Sequence, residues 1–427
     1  MVHEIKIKNF LSFKDEVVFS FEATKDNSLE DYYVREEAGL RLLRLAVVYG
    51  ANASGKSNLL NVFEFLSRFC QEKRDDKTEE TDVIPFLLDS VTKDEPSEFS
   101  ISFVNRNRRY LYTLIIDELR VYSEKLYVYP KTQPALIFER VYNNNVSEIT
   151  FNSKRVKIPQ IAKDEIAIKC LPNMSVFAAY NQVNVSIEEM DSVVEWIKEK
   201  HINPIEPRSI ISSFAERKIL DKPEIKESIL EFLKAADFNI EDIIIEKQTI
   251  KIPEEYMDKI LSNSDELPKD EKERLQREKS FDTIKTNFKH KVKNERGEEF
   301  YNLPKSLQSE GTKRIFGLSV ILNEVVKNNA FLAIDEIESS LHPKLIAFIL
   351  EDFLKQEGNS QLLVSTHYDG LLEDVGLLRN DSVWFTQKQE NGSTDVYSLT
   401  DFKGLSRISS IQKAYKFGRF GAIPNIE

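Results

Sequence analysis

Eight consecutive residues, Gly50-Ala51-Asn52-Ala53-Ser54-Gly55-Lys56-Ser57, carry the first chemical signal in the chain. Gly50 and Gly55 let backbone N–H groups turn inward around an anion, and a helix beginning there would aim the positive end of its dipole at the same point. Lys56 can then reach the β- and γ-phosphates of a nucleotide, while the Ser57 hydroxyl suits Mg²⁺. The flanks supply the required frame. Leu45-Ala46-Val47-Val48-Tyr49 is a short apolar strand run before the loop, and Leu60, Phe63 and Leu66 follow at helical spacing. A glycine-rich turn that merely carried Lys-Ser would lack this strand–loop–helix order.

A second constellation lies far downstream. Phe331-Leu332-Ala333-Ile334 reads as a buried strand ending in Asp335-Glu336, so both carboxylates emerge at the carboxyl end of a parallel strand, where ligands bind in such sheets. Asp335 suits Mg²⁺, directly or through water, and Glu336 suits a general base that polarises an attacking water. An acid directly after the metal-binding aspartate fits hydrolysis better than kinase-like transfer. The next apolar run, Gln361–Val364, delivers Ser365-Thr366-His367 to the same edge, where His367 can sense a γ-phosphate by hydrogen bonding. Ser309 and Gly311 stand just before a helix bearing Ile315, Leu318, Leu322 and Val325. Hydroxyl, unhindered backbone and helix N-terminus make an anion site there, with a simple N-cap as the alternative use of Ser309.

The elements that must position these groups follow from periodicity. Ile5, Lys6, Ile7 and Lys8 alternate, as do Val17, Phe19 and Phe21 after a turn through Asn9-Phe10, which predicts a hairpin. Runs between about 97 and 180, such as Phe99-Ile101-Phe103 and Tyr110-Tyr112-Leu114-Ile116, predict antiparallel sheet. From Ile187 to about Phe300 the pattern reads as helical and strongly charged, most polar at Asp270–Arg274. Strand and helix signals alternate again from Leu318 to Thr366, predicting a parallel α/β sheet.

Composition bounds the class. With 427 residues, 41% hydrophobic and 30% charged, the chain buries a large core and is not disordered. No apolar run approaches the ~20 residues that span a bilayer, and the charged start has no signal-peptide core, so a soluble cytoplasmic protein is expected. A net charge of −12 argues against a surface coated for nucleic acid, though it leaves room for a local basic groove. Cys70 and Cys170 lack metal-ligand spacing and read as buried thiols.

The segments Gly50–Ser57, Ser309-Glu310-Gly311-Thr312, Ala333-Ile334-Asp335-Glu336 and Ser365-Thr366-His367 stand in the order found in ATP-binding-cassette (ABC) ATPases. The chain resembles their SMC-like and RecF-like heads. Transporters and SMC proteins usually have Asp where His342 stands, and Leu341-His342-Pro343 is similar to the RecF and OLD-type branch. The insertion before Ser309 is too short for an SMC coiled coil. The tail, Ser398–Phe402 and Tyr415–Pro424, resembles the end of AbiL/RloA-type ATPases of bacterial phage defence, which are related to those of the PARIS and Septu systems. Its interleaved aromatic and basic residues from Tyr415 to Phe420 either contact nucleic acid or pack on their own domain.

This resemblance implies an α/β fold: an ABC-ATPase head, with a mixed or parallel sheet carrying the P-loop and an antiparallel β subdomain, plus a compact helical insertion. Residues 1–185 and 300–400 would form the head, 186–299 the insertion and 401–427 a tail. It implies ATP and Mg²⁺ as cofactors, residues 50–57 with Ser309 and Gly311 on the nucleotide, Glu336 and His367 in catalysis, and Ser57, Asp335 and a Q-loop glutamine, assigned to Gln182, on the metal. A turn residue is the alternative role for Gln182. The implied assembly is a homodimer or larger homo-oligomer that sandwiches ATP and regulates an antiviral system. No TOPRIM or HNH pattern follows His367, so a separately encoded effector, such as a nuclease of either type, is the expected partner, with no membrane involved. The alternative is a RecF-like DNA-repair or DNA-structure-binding ATPase with nucleic acid as its main partner.

Overall fold

The computed structural model describes residues 1–143, 146–251, 277–373 and 376–424. The chain forms two compact units, Met1–Ser209 with Glu324–Glu427, and Ile210–Asn323. In chain order the strands are β1 (Val2–Lys8), β2 (Val17–Ser20), β3 (Val34–Glu37), β4 (Leu40–Leu43), β5 (Leu45–Tyr49), β6 (Ser97–Asn105), β7 (Arg108–Ile116), β8 (Val121–Tyr129), β9 (Ala135–Asn143), β10 (Val146–Phe151), β11 (His201–Ile205), β12 (Ile240–Lys251), β13 (Ser280–Asn294), β14 (Gly297–Pro304), β15 (Phe331–Ile334), β16 (Gln361–Thr366), β17 (Val383–Lys388) and β18 (Thr394–Ser398).

The first unit holds two large sheets. One is antiparallel, in the order β10-β9-β8-β7-β6-β1-β2. Ile5 faces both Phe19 and Ile101 across the ladder, so the alternating apolar residues fall on one buried face. The other sheet runs β11-β15-β16-β5-β17-β18 and is parallel up to β17, with β18 returning antiparallel at the edge. Every residue of β5, β15 and β16 is buried, as continuous apolar runs require when both sheet faces are covered. Helix Lys56–Gln71 follows β5 and buries Leu59, Leu60, Val62, Phe63 and Leu66. Helix Pro343–Lys355 carries the chain from β15 back to β16.

A buried ion pair marks the antiparallel lobe. Arg140 and Glu124 are both 0% exposed and 3.5 Å apart. The guanidinium donates to the carbonyls of Leu171 (2.9 Å), Pro172 (3.1 Å) and Met174 (2.6 Å), and Glu124 accepts from Val176 N and the Tyr112 hydroxyl, each at 3.0 Å. Cys70 and Cys170 are buried free thiols.

The second unit contains helices Ser212–Asp221 and Lys226–Ala235, the antiparallel sheet β12-β13-β14 and the start of helix Glu310–Asn328. Its core includes Leu233, Ile243 and Phe288, with Phe288 edge-on to Phe316 at 5.3 Å. The stretch from Ile187 to Phe300, read as helical, is therefore partly strand. In β13 only Thr286 and Phe288 are buried, while Lys285, Lys289, Lys291 and Lys293 stand at the alternate positions, so the period-two signal is nearly erased by charge. Helix Glu188–Glu199 and β11 lie in the first unit, with β11 paired to β15. Asp270–Arg274 lies outside the described residues. Among those that are described, no helix is long and apolar enough to cross a membrane.

Candidate nucleotide site

Strand order creates the site. β15, β16 and β5 are consecutive neighbours and all parallel, so their carboxyl ends deliver Asp335-Glu336, His367 and the loop after Tyr49 to one edge. A cleft of about 580 Å³ opens there, lined by residues 52–58 and Glu336 among others.

The loop is held from behind by hydroxyls. Ser54 Oγ and Thr386 Oγ1 lie 2.7 Å apart, and Thr394 Oγ1 is within hydrogen-bond reach of both Ser54 O (3.0 Å) and Ser12 Oγ (2.8 Å). Asn58 Nδ2 also donates to Ser12 Oγ (2.8 Å). These contacts explain the two glycines. A Cβ at Gly50 would fall on Ser54 Oγ and Thr386 Oγ1, and one at Gly55 would meet the Thr394 side chain at a φ of 101° that disfavours any other residue.

Within the loop, Lys56 folds back on its own backbone, donating to Gly50 O (3.0 Å) and Ala51 O (3.1 Å), and meets His367 Nε2 at 3.1 Å. An ammonium has only donors, so this contact assigns Nε2 as acceptor and the proton to Nδ1. Burial, then the Lys56 charge, holds the imidazole below its usual pKa, in keeping with that neutral form. Burial likewise lowers Lys56, against the pull of Asp335, Glu336 and Glu338. Ser57 Oγ donates to Asp335 Oδ2 at 2.6 Å, and the other Asp335 oxygen accepts from Ser365 Oγ. This hydroxyl–carboxylate pair is a hard-oxygen set of the kind Mg²⁺ takes, so the residues fit that ion. Glu336 sits at φ 44°, a left-handed conformation costing on the order of 1 kcal/mol for a non-glycine residue, and its N–H donates to Ser365 Oγ at 2.9 Å. Its carboxylate stands 3.9 Å from His367 Nε2.

Gly50 to Ser57, Asp335, Glu336 and His367 thus come together as the spacing predicted. Ser309 and Gly311 belong to the second unit, where Ser309 Oγ accepts from Thr312 N at 3.1 Å at the start of helix Glu310–Asn328. Gln182 does not join the site. Its amide donates to Ala178 O (3.1 Å) and lies 4.0 Å from Met174 Sδ, the sulfur that also receives Arg74 N. Arg74 follows the far end of helix Lys56–Gln71, a helix about 24 Å long at 1.5 Å per residue. The metal role given to Gln182 is corrected accordingly. In the tail, Tyr415 and Phe420 stack on Phe385 and are buried, so these two pack on their own domain, while Phe417 is exposed. Sequence reasoning missed Ser12, Thr386 and Thr394. It brought Ser365 to the site edge with His367 but gave it no role.

The family model described as "AAA domain, putative AbiEii toxin, Type IV TA system" matches residues 45–148 and 203–373, which include the phosphate loop and the Asp335-Glu336 strand. No curated protein matches the sequence. Among solved structures, an SMC head domain from Thermotoga maritima is similar at 12% identity and TM-score 0.40, over 93% of this chain and 98% of that one. An Smc head domain with an extended coiled coil, bound to the C-terminal domain of ScpA and derived from Pyrococcus furiosus, is similar at 13% identity and TM-score 0.43, over 98% of each chain. With the family model spanning more than half of its length, the chain belongs to that AAA-domain family.

Proposed function

We propose that this protein is an ATPase in which Glu336 is the general base, and that it works as a nucleotide-sandwiched homodimer regulating an antiviral defence effector. The observation that carries the ATPase reading is Lys56 resting on the Gly50 and Ala51 carbonyls and on neutral His367, contacts that a phosphate oxygen can replace one for one. Incoming phosphates would bind the inward N–H groups of the loop and draw Lys56 away. His367 is then free to donate to the γ-phosphate once its proton stands on Nε2. Ser57 and Asp335 would hold Mg²⁺, which when bound neutralises phosphate charge. Glu336 takes a proton from water as its oxygen bonds to the γ-phosphorus and the bond to ADP breaks.

The separate Ser309-Glu310-Gly311 segment supports composite sites, Gly50–Ser57 of one protomer facing Ser309 and Gly311 of its partner. Lys56→Ala and Gly311→Asp protomers should each be inactive, and mixing them should restore part of the hydrolysis. No recovery after confirmed subunit exchange would refute composite sites. The regulatory part of the reading rests on the resemblance of the tail and on the family description, which names an AbiEii toxin of a type IV TA system. Co-purification with a neighbouring gene product, compared between wild type and Glu336→Gln, tests it. Phage protection by this chain alone would overturn it.

A further inference from the structure

The cleft extends beyond the phosphate loop. It continues along Leu11 and the segment Ile84–Leu88, and is also lined by Ser12, Lys388 and Gly392. Ile84, Leu87 and Leu88 are 48%, 61% and 66% exposed, a run of aliphatic side chains left in water beside a polar site. The segment is nevertheless fixed. Asn9, 1% exposed, donates from Nδ2 to Thr92 O (2.6 Å) and Glu95 O (2.8 Å) and accepts from Phe86 N (3.0 Å) at Oδ1. Leu11 N donates to Ile84 O at 2.9 Å, and Lys14 pairs with Asp89 at 2.6 Å. The turn between β17 and β18 touches the same segment: a Cβ on Gly392 would lie 2.6 Å from Leu88 Cδ1. Aliphatic surface held rigid and open is surface prepared for a ligand, because its ordering cost is met before binding.

We propose that Leu11, Ile84, Leu87 and Leu88 seat the base of the bound nucleotide, gripping its faces without reading its edges, so that the protein hydrolyses adenine and guanine nucleoside triphosphates with similar efficiency. The inference rests on the ATPase reading above and deepens it. The polar side chains bordering the seat do little to tell the purines apart. Ser12 Oγ and the Asn58 amide are bonded to each other at 2.8 Å. Lys388 offers only donors, which N7 of either purine accepts; guanine O6 would add one further acceptor, a preference of about 10²-fold at most. Apolar contact discriminates between similar ligands by roughly 10–200-fold, whereas a site that hydrogen-bonds a distinguishing group reaches about 10⁴–10⁵.

The test is steady-state hydrolysis of ATP and of GTP by the full chain, wild type and Leu87→Ala/Leu88→Ala, with inorganic tripolyphosphate as a competing ligand. The seat predicts kcat/KM values for the two nucleotides within ~10²-fold of each other. It also predicts that the double variant raises KM for both by a common factor while inhibition by tripolyphosphate is unchanged. A preference beyond that range, or an unaltered KM in the variant, overturns the inference and leaves the ATPase reading standing. If neither nucleotide is bound or hydrolysed, the ATPase reading falls and this inference with it.

Discussion

Two clusters of charged side chains in the first unit, one sealed in the antiparallel lobe and one opening on the cleft, are built to opposite ends. Arg140 and Glu124 sit at 0% exposure, and their hydrogen bonds run mainly to backbone carbonyls, a backbone N–H and a tyrosine, with Ser147 and Cys170 completing the guanidinium's partners. Burial pushes the Glu124 carboxyl up, and Arg140, Val176 N and Tyr112 pull it back. Lys56, Ser57, Asp335, Glu336 and His367 are also bonded, but largely to one another, at the mouth of a cleft. Burial of charge alone does not mark a site. Exchangeable partners facing an opening do.

Four measurements break or sharpen this contrast. Glu336→Gln should lower kcat by about 10²–10⁴-fold, the span of a lost general base, with no change in the unfolding midpoint; parallel hydrolysis assays and thermal melts read both. Arg140→Ala should do the reverse, losing about 3–5 kcal/mol of stability because Glu124 is left buried and unpaired, while hydrolysis per folded molecule is retained. A denaturant titration showing less than about 1 kcal/mol of loss would put the two clusters in the same class.

His201 supplies an intermediate case, a buried polar ring with neither nitrogen bonded, stacked beside Phe63 and Phe331. Burial lowers its pKa from 6.5 to about 4. The unfolded chain therefore binds the extra proton across that window, and stability is lost as pH falls from 6.5 towards 4, by about 3 kcal/mol at 1.36 kcal/mol per unit. His201→Phe should remove that part of the acid limb in melts compared at pH 7 and pH 4.5. The smallest effect is expected at Thr394, whose hydroxyl braces Ser54 and Ser12. Thr394→Val should cost ~1 kcal/mol, the net worth of a hydrogen bond, seen as a several-fold rise in KM for ATP that Thr394→Ser reverses.

What was legible in the sequence was what is contiguous. The loop 50–57, Asp335-Glu336 and His367 each directly follow an apolar strand, because phosphate and metal chemistry needs them at strand ends, so spacing alone located them. Ser12, Thr386 and Thr394 were not legible. Each is one hydroxyl on or near an ordinary strand, and only the pairing of β17 with β5 and β18 places two of them behind the loop. Gln182 was assigned from element order, which ignores that its amide turns back onto the helix Val176–Tyr180. The strands β12 to β14 escaped because lysine and glutamate occupy positions where alternation would otherwise show.

The placement of β5 between β16 and β17 has a consequence for synthesis. Strands β6 to β10 pair with sequence neighbours and can zip together as they leave the ribosome, whereas β5, complete at Tyr49, has both flanking partners beyond residue 360. At ~5–20 residues per second the ribosome needs on the order of 15–70 s to supply them. Through that interval the phosphate loop has no wall behind it and the strand has two bare edges. A nascent chain cannot hold nucleotide, and the newborn protein must be shielded from edge-to-edge pairing until its last strands emerge.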